Sequence, residues 1–155
     1  MSRKNKYKIR KLKGDCKYNH ILINQFINKV MLNGKKAKAE NLVYKALELA
    51  AKQGSEDPVK LFEKAIENVS PKMQVKSKRV GGATYQVPIE ISEEKAAAVS
   101  IKWIIEFSRK RKGKSFEEFL SQELVDAFNN NGAAFKKKEE VHRMAESNRA
   151  FSHYR

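Results

Sequence analysis

Apolar residues recur every three or four positions in the first third of the chain, the spacing that places them on one side of an α-helix. The first such segment runs from Leu22 to Met31, and Asn33-Gly34 ends it. The second runs from Ala39 to Ala50 and ends near Gly54. These two segments predict the first two helices.

A third helix is predicted after Asp57. This residue type is a favoured N-cap, and Pro58 occupies the first helical position, where the N–H that proline lacks would have no partner anyway. Apolar residues then repeat on one side from Leu61 to Val69, and Pro71 limits the helix.

The next segment changes from a period of 3.6 to a period of 2, because alternate residues from Tyr85 to Ile91 fall on one face. Another extended arm precedes it, and Gly81-Gly82 joins the two. A tight two-residue turn needs positive φ at both positions, which glycine adopts easily. Residues 73 to 91 are therefore predicted to form a β-hairpin. Since a lone hairpin is marginal in water, its base should lean on the body and its tip on a partner.

Two more helices follow the hairpin. Ser92 is the predicted N-cap of the fourth helix, which ends in the basic run 109 to 114. Ser115 and Glu118 have the spacing of a capping box at the start of the fifth helix. The run 129 to 132, three asparagines and a glycine, ends that helix.

A sixth helix is predicted at about 133 to 146, with a thin apolar stripe of Ala134, Val141 and Ala145. The predicted fold is mainly α: a six-helix, bundle-like body with a protruding β-hairpin between helices three and four. Three regions are expected, namely a basic N-terminal tail at 1 to 17, a helical domain at 18 to 146 and a short C-terminal tail at 147 to 155.

The chain's charge is strongly positive and unevenly placed. Its 155 residues include 33 Lys and Arg against 18 Asp and Glu, a formal net charge of +15. Most of the excess lies in four basic segments, which hold 23 of the basic residues but only 5 of the acids: 1 to 17, 71 to 90, 108 to 114 and 136 to 155. The remaining body is nearly neutral. Cations concentrated where the backbone projects indicate a polyanionic partner with phosphates in several directions, as in folded RNA.

Other classes of function find little support in the sequence. Gly113-Lys114-Ser115 lacks the earlier glycine of a phosphate-binding loop, and His142 has no nucleophile with a recognisable motif beside it. The single cysteine, Cys16, and the nearby His20 do not complete a metal site. No apolar stretch is long enough for a membrane span or a signal peptide. We therefore expect an intracellular protein without catalytic activity, cofactor, metal or membrane partner.

Three stretches are specific enough to indicate a family. They are NKVMLNGKK at 28 to 36, VKSKRVGGATYQVPIE at 75 to 90 and GAAFKKKEEVHRMAESNRAFSHYR at 132 to 155. Together with the order of helices and hairpin, they make nearly the whole chain resemble the bacterial form of small-subunit ribosomal protein seven.

The resemblance implies a primary binder of the 3′ major domain of 16S rRNA that nucleates the head of the 30S subunit. It also implies a place near the exit-site tRNA and the mRNA path, with small-subunit ribosomal proteins nine and eleven as neighbours. Some bacterial members repress translation of their own operon. Cytoplasmic ribosomes are the expected location. An organellar ribosomal protein and an unassembled regulator of a messenger RNA stay open as alternatives.

The residues predicted to bind RNA are cations of the tails, the turns and the hairpin: Arg3, Lys4, Arg10, Lys11, Lys35, Lys36, Lys76, Lys78, Arg79, Arg109, Lys110, Arg111, Lys136, Lys137, Arg143 and Arg149. Proximity to exit-site tRNA and mRNA is predicted for the hairpin turn and the C-terminus: Gly81, Gly82, Phe151, His153, Tyr154 and Arg155. Two departures from the family pattern affect these predictions. Cys16 replaces a common proline, which bears on the entry angle of the tail, and the chain stops at Arg155, where many members add a tryptophan.

Overall fold

A computed structural model describes residues 12 to 54 and 56 to 154. In chain order its elements are α1 (Ile21–Val30), α2 (Lys36–Gly54), α3 (Pro58–Val69), β1 (Met73–Val80), β2 (Ala83–Glu90), α4 (Glu93–Lys110), α5 (Phe116–Phe128), α6 (Gly132–Ser147) and a C-terminal 3-10 helix (Arg149–Tyr154). The predicted fold, mainly helical with a hairpin between the third and fourth helices, is confirmed.

The helices begin where the capping residues predict, but only one cap forms as expected. The Asp57 carboxylate accepts the N–H of Val59 at 3.0 Å and holds the first turn of α3. Ser92 precedes α4 without a capping hydrogen bond from its side chain. The Ser115 hydroxyl donates to the Glu118 carboxylate at 2.8 Å instead of accepting a backbone N–H, so the predicted capping box is replaced by a side-chain pair.

The core lies around α5, which packs against α2, α3, α4 and α6. The Phe26 and Phe62 rings meet edge to face with centroids 5.2 Å apart, and both are fully buried together with Ile104 and Leu124. Fully burying one such side chain stabilises the fold by about 1.5 to 3 kcal/mol. Because these side chains belong to one continuous cluster, the six helices form a single body.

The hairpin is packed at its base and exposed at its tip. The strands are antiparallel, with Met73 paired to Glu90 at the base and Val80 paired to Ala83 beside the turn. Gly81 and Gly82 have φ of 57° and 91°, so the predicted turn is confirmed. Near the base Val87 and Pro88 are buried, while residues 81 to 84 are exposed. The tip therefore projects from the helical body.

Both ends of the described chain contact the body or the hairpin. Asp15, which the sequence places in the N-terminal tail, is only 6% exposed and contacts Tyr44 of α2. At the other end the C-terminal 3-10 helix packs against β2, and the ring centroids of Phe151 and Tyr85 lie 5.2 Å apart. The sequence did not predict this last helical turn.

Candidate nucleic-acid interface

Three predicted RNA-binding cations lie on the first strand of the hairpin. Lys76, Lys78 and Arg79 are all exposed on β1. The register pairs Lys78 with Tyr85 and Arg79 with Thr84, and neighbouring residues of a strand point to opposite faces. Lys76 and Lys78 therefore share one face of the hairpin and Arg79 lies on the other. Cations on both faces can contact phosphates on either side of the tip.

The turn between α1 and α2 presents a second predicted pair. Asn33 and Gly34 have φ of 52° and 72°, which reverses the chain and leaves Lys35 and Lys36 exposed. Lys36 lies 3.7 Å from Glu40 one helical turn later, a surface contact that water screens. Both ammonium groups are therefore accessible to a polyanion.

The basic run after α4 is partly used inside the protein. Arg109 donates to the carbonyl of Val30 at 2.9 Å, and Lys110 donates to Glu106 at 2.7 Å. Arg111 binds the carboxylate of Glu123 and that of Asp126, the latter at 3.2 Å.

The Glu123 carboxylate is fully buried, and its other oxygen accepts the N–H of Ala134 at 2.9 Å. Arg111, predicted to bind RNA, therefore joins the end of α4 to α5 and to the start of α6. That Arg111 also binds RNA stays a prediction, and less of its guanidinium is available for this contact than the sequence suggests.

A groove between α1 and α4 carries three cations that the sequence analysis did not select, beside Arg109, which it did. We define the α1–α4 groove by Lys29 of α1 and by Lys95, Lys102 and Arg109 of α4, which line two clefts of about 510 and 380 Å³ that meet at Lys29. The three α4 cations are seven residues apart, and a spacing of seven places them on one side of the helix. Arg109 was predicted, and the seven-residue stripe that it shares is the signal by which Lys95 and Lys102 could have been found.

α6 and the 3-10 helix supply the remaining predicted cations. Lys136, Arg143 and Arg149 are exposed, while Lys137 is half-buried and lies 2.8 Å from Glu140. Of the residues predicted near exit-site tRNA, His153 is exposed and bonds to the carbonyl of Ala150. The other predicted contacts at the two ends lie outside the described residues: Arg3, Lys4, Arg10, Lys11, Arg155 and the side chain of Tyr154.

His142 ties α6 to the base of the hairpin. Its Nε2 accepts the N–H of Lys72 at 3.0 Å, and Lys138 donates to the carbonyl of Asn68 at 2.7 Å. Burial lowers the pKa of His142, and the charges of Lys138 and Lys72 lower it further. The imidazole is therefore neutral at pH 7, which its role as acceptor requires.

The described residues hold no cluster of three or more His, Cys, Asp or Glu that could bind a metal ion. Cys16 is exposed, and His20 Nε2 instead contacts Glu63 at 2.8 Å. Across residues 12 to 54 and 56 to 154, no helix is both long and apolar enough to cross a membrane.

A helical body with exposed cations on a projecting hairpin, in a groove and on a terminal helix defines an RNA-binding protein built for a ribonucleoprotein. The family model of ribosomal protein S7p/S5e matches residues 2 to 149. The chain therefore belongs to the ribosomal protein S7p/S5e family.

Individual relatives agree along their whole length. The small ribosomal subunit protein uS7 of Herpetosiphon aurantiacus is 52% identical over 99% of this chain and 98% of its own length. The uS7 proteins of Thermosipho melanesiensis and Borrelia hermsii are each 50% identical, over 99% and 100% of this chain and 99% of their own length. Two predictions are thereby confirmed: the chain is a ribosomal protein of the small subunit, and it is not an enzyme.

Proposed function

We propose that this protein is a primary binder of 16S rRNA that nucleates assembly of the 30S head through the 3′ major domain. The observation that supports the proposal is the placement of exposed cations on both faces of the hairpin, in the α1–α4 groove and on α6, around a nearly neutral body. Phosphates of a folded RNA can meet all of these surfaces at once, whereas a single DNA groove cannot. The expected location is the cytoplasmic ribosome.

The first test measures affinity for a fragment of the 16S 3′ major domain at increasing salt. If about six to ten phosphates are contacted, the slope of log K against log salt is about −5 to −9, with the duplex-DNA coefficient as a guide. A slope near zero would show that electrostatic contacts do not drive binding.

A second test assigns that binding to named surfaces. Replacing Lys76, Lys78 and Lys136 with alanine should weaken binding to the fragment. A matched control removes three lysines of α2 and α3 that are also exposed, for which we choose Lys45, Lys52 and Lys60. Both variants lose three charges, so equal losses of affinity would mean that net charge matters and the surface does not.

We also propose that the hairpin tip acts beside exit-site tRNA and mRNA rather than in assembly. Removing Arg79, Val80, Ala83 and Thr84 places Gly81-Gly82 directly between Lys78 and Tyr85, which already face each other in the ladder. The shortened hairpin keeps its two-residue turn and the alternation of its faces. It keeps Lys76 and Lys78, so it should support 30S assembly despite the loss of Arg79, but it should release exit-site tRNA faster and shift the reading frame more often. Reduced assembly, with normal tRNA retention in the subunits that do form, would refute the proposal that the tip acts on tRNA and not in assembly.

The same proposal includes the neighbours and the regulation expected of the family. Small-subunit ribosomal proteins nine and eleven should crosslink to this protein in assembled subunits. Repression of its own operon should appear as reduced translation of a reporter that carries the operon leader when free protein is in excess. Co-migration with small subunits through a high-salt wash separates a resident component from an unassembled regulator.

A further inference from the structure

Asp15 holds the segment that joins the N-terminal basic residues to the body. Its Oδ1 accepts the N–H of His20 at 2.8 Å. Its Oδ2 accepts the N–H groups of Lys17 and Tyr18 at 3.0 and 2.9 Å, and the hydroxyl of Tyr44 at 3.0 Å. Four donors therefore converge on a carboxylate that is 6% exposed, and this side chain fixes the turn to α2.

The protonation states of Asp15 and Tyr44 favour the hydrogen bond between these two side chains. Burial acts to raise the pKa of Asp15, but the N–H groups of Tyr18 and His20, the Tyr44 hydroxyl and the Lys17 N–H outweigh it, so the pKa lies below its ordinary value. Burial and the hydrogen bond to Asp15 raise the pKa of Tyr44 to about 12. At pH 7 the carboxylate is ionised and the phenol keeps its proton to donate.

The residues just before Asp15 lead to the α1–α4 groove. The side-chain amide of Asn24 donates to the carbonyl of Lys13 at 2.7 Å, and Leu12 lines the same cleft as Lys29 and Lys95. A Cβ on Gly14 would lie 2.4 Å from the backbone of Asn19, so only glycine fits this path. The basic segment that precedes Leu12 therefore joins the body at the mouth of a basic groove.

We propose that Asp15 is a positioning residue for RNA binding: it fixes the point at which the basic N-terminal segment meets the α1–α4 groove, so that both contact the same RNA. The inference rests on the proposed RNA-binding function. Without the Asp15 carboxylate the same cations remain, but binding must itself order the residues that join them to the body. Ordering one residue's backbone lowers affinity by roughly fivefold to thirtyfold.

This arrangement also makes the identity of residue 16 less important. The donors to Asp15 are the N–H groups of residues 17, 18 and 20, together with Tyr44, and Cys16 is exposed. Proline at position 16 removes none of these bonds. Cys16→Pro should therefore bind RNA within about twofold of the unchanged chain, an effect of less than roughly 0.5 kcal/mol.

A double-mutant cycle tests the inference. Affinity for the 16S 3′ major-domain fragment is measured for four proteins: the full chain, Asp15→Ala, the chain without residues 1 to 11, and the combination. We expect Asp15→Ala to weaken binding about fivefold to thirtyfold in the full chain and to have no effect once residues 1 to 11 are absent. An equal loss in both backgrounds would overturn the positioning role.

Two further variants keep the result clear. Tyr44→Phe removes one of the four donors without leaving the amides unpaired, so it carries the same cycle if Asp15→Ala does not fold. Its effect should likewise vanish without residues 1 to 11. Asp57→Ala is the matched control, because it also removes a carboxylate that binds a backbone N–H, but at the start of α3. It should not change affinity in either background.

The cycle distinguishes the two possible failures. If the full chain binds the fragment without salt dependence, the proposed function itself is wrong. If the full chain binds and deletion of residues 1 to 11 weakens binding, but Asp15→Ala acts equally in both backgrounds or in neither, only the positioning role is wrong.

Discussion

Among the polar side chains of the described residues, Glu123 is the one whose removal we expect to destabilise the fold most. One oxygen receives the Arg111 guanidinium and the other accepts the N–H of Ala134 at 2.9 Å in the first turn of α6. We compare two substitutions that separate these contacts. Glu123→Gln keeps the shape and an acceptor for Ala134 but loses the charge, whereas Glu123→Ala removes both contacts.

The structure sets the expected size of each effect. Breaking a buried ion pair costs about 3 to 5 kcal/mol. Arg111 is 27% exposed and keeps Asp126 at 3.2 Å, so we expect about 2 kcal/mol for Glu123→Gln. Glu123→Ala also leaves the Ala134 N–H without an acceptor, which adds about 1 to 3 kcal/mol. A total of about 4 kcal/mol corresponds to a fall in Tm of roughly 8 to 16 °C for a domain of this size.

Urea and thermal unfolding followed by far-UV circular dichroism measure both effects. Gln122→Ala is the matched control, since its side chain is exposed on the same helix and should change stability by less than about 0.5 kcal/mol. If Glu123→Gln unfolds within about 0.5 kcal/mol of the unchanged protein, the reasoning about the buried pair is refuted.

Three further predictions concern the core and the hairpin base. Ile104→Ala should lower the free energy of unfolding by about 2 to 5 kcal/mol, because Ile104 is fully buried. The lowered pKa of His142 means that its contribution to stability is present above about pH 6.5 and is lost as pH falls through the folded-state pKa, which urea unfolding at several pH values will show. Phe151→Ala should speed amide hydrogen exchange in the hairpin about 2- to 10-fold, because it removes the ring contact with Tyr85.

Each of these three predictions has an outcome that would contradict it. A loss below about 1 kcal/mol for Ile104→Ala would place that side chain outside the tight core. An unchanged pH dependence after His142→Gln would mean that another group titrates. Faster exchange throughout the helical body after Phe151→Ala would show that the contact stabilises the whole fold and not the hairpin.

The sequence predicts the elements well because their signals are local. Apolar spacing and the residues that start and stop helices act within a few positions, and the three residues chosen for the inner side of the sixth helix, Ala134, Val141 and Ala145, are those that α6 buries. The hairpin followed in the same way from its period and from Gly81-Gly82.

Polar contacts between distant residues were not predictable in this way. Arg111 looks like its exposed neighbour Lys112 until the fold brings Glu123 and Asp126 to it. Asp15 reads as one acid in a basic tail, because Tyr44 is 29 positions away. Glu123 did carry a signal, since it lies on the buried side of α5 next to Leu124, where the period calls for an apolar residue.

The two-stranded hairpin has a further consequence for the protein before it reaches its partner. Within the described residues β1 and β2 pair only with each other, so each strand keeps an outer edge of backbone groups that could pair with a second molecule. Lys76, Lys78 and Arg79 are exposed along the β1 edge, and Pro88 removes a donor from β2. The cations proposed to bind RNA should therefore also repel a second hairpin, and we expect this repulsion to oppose edge-to-edge aggregation of chains that have not yet bound RNA.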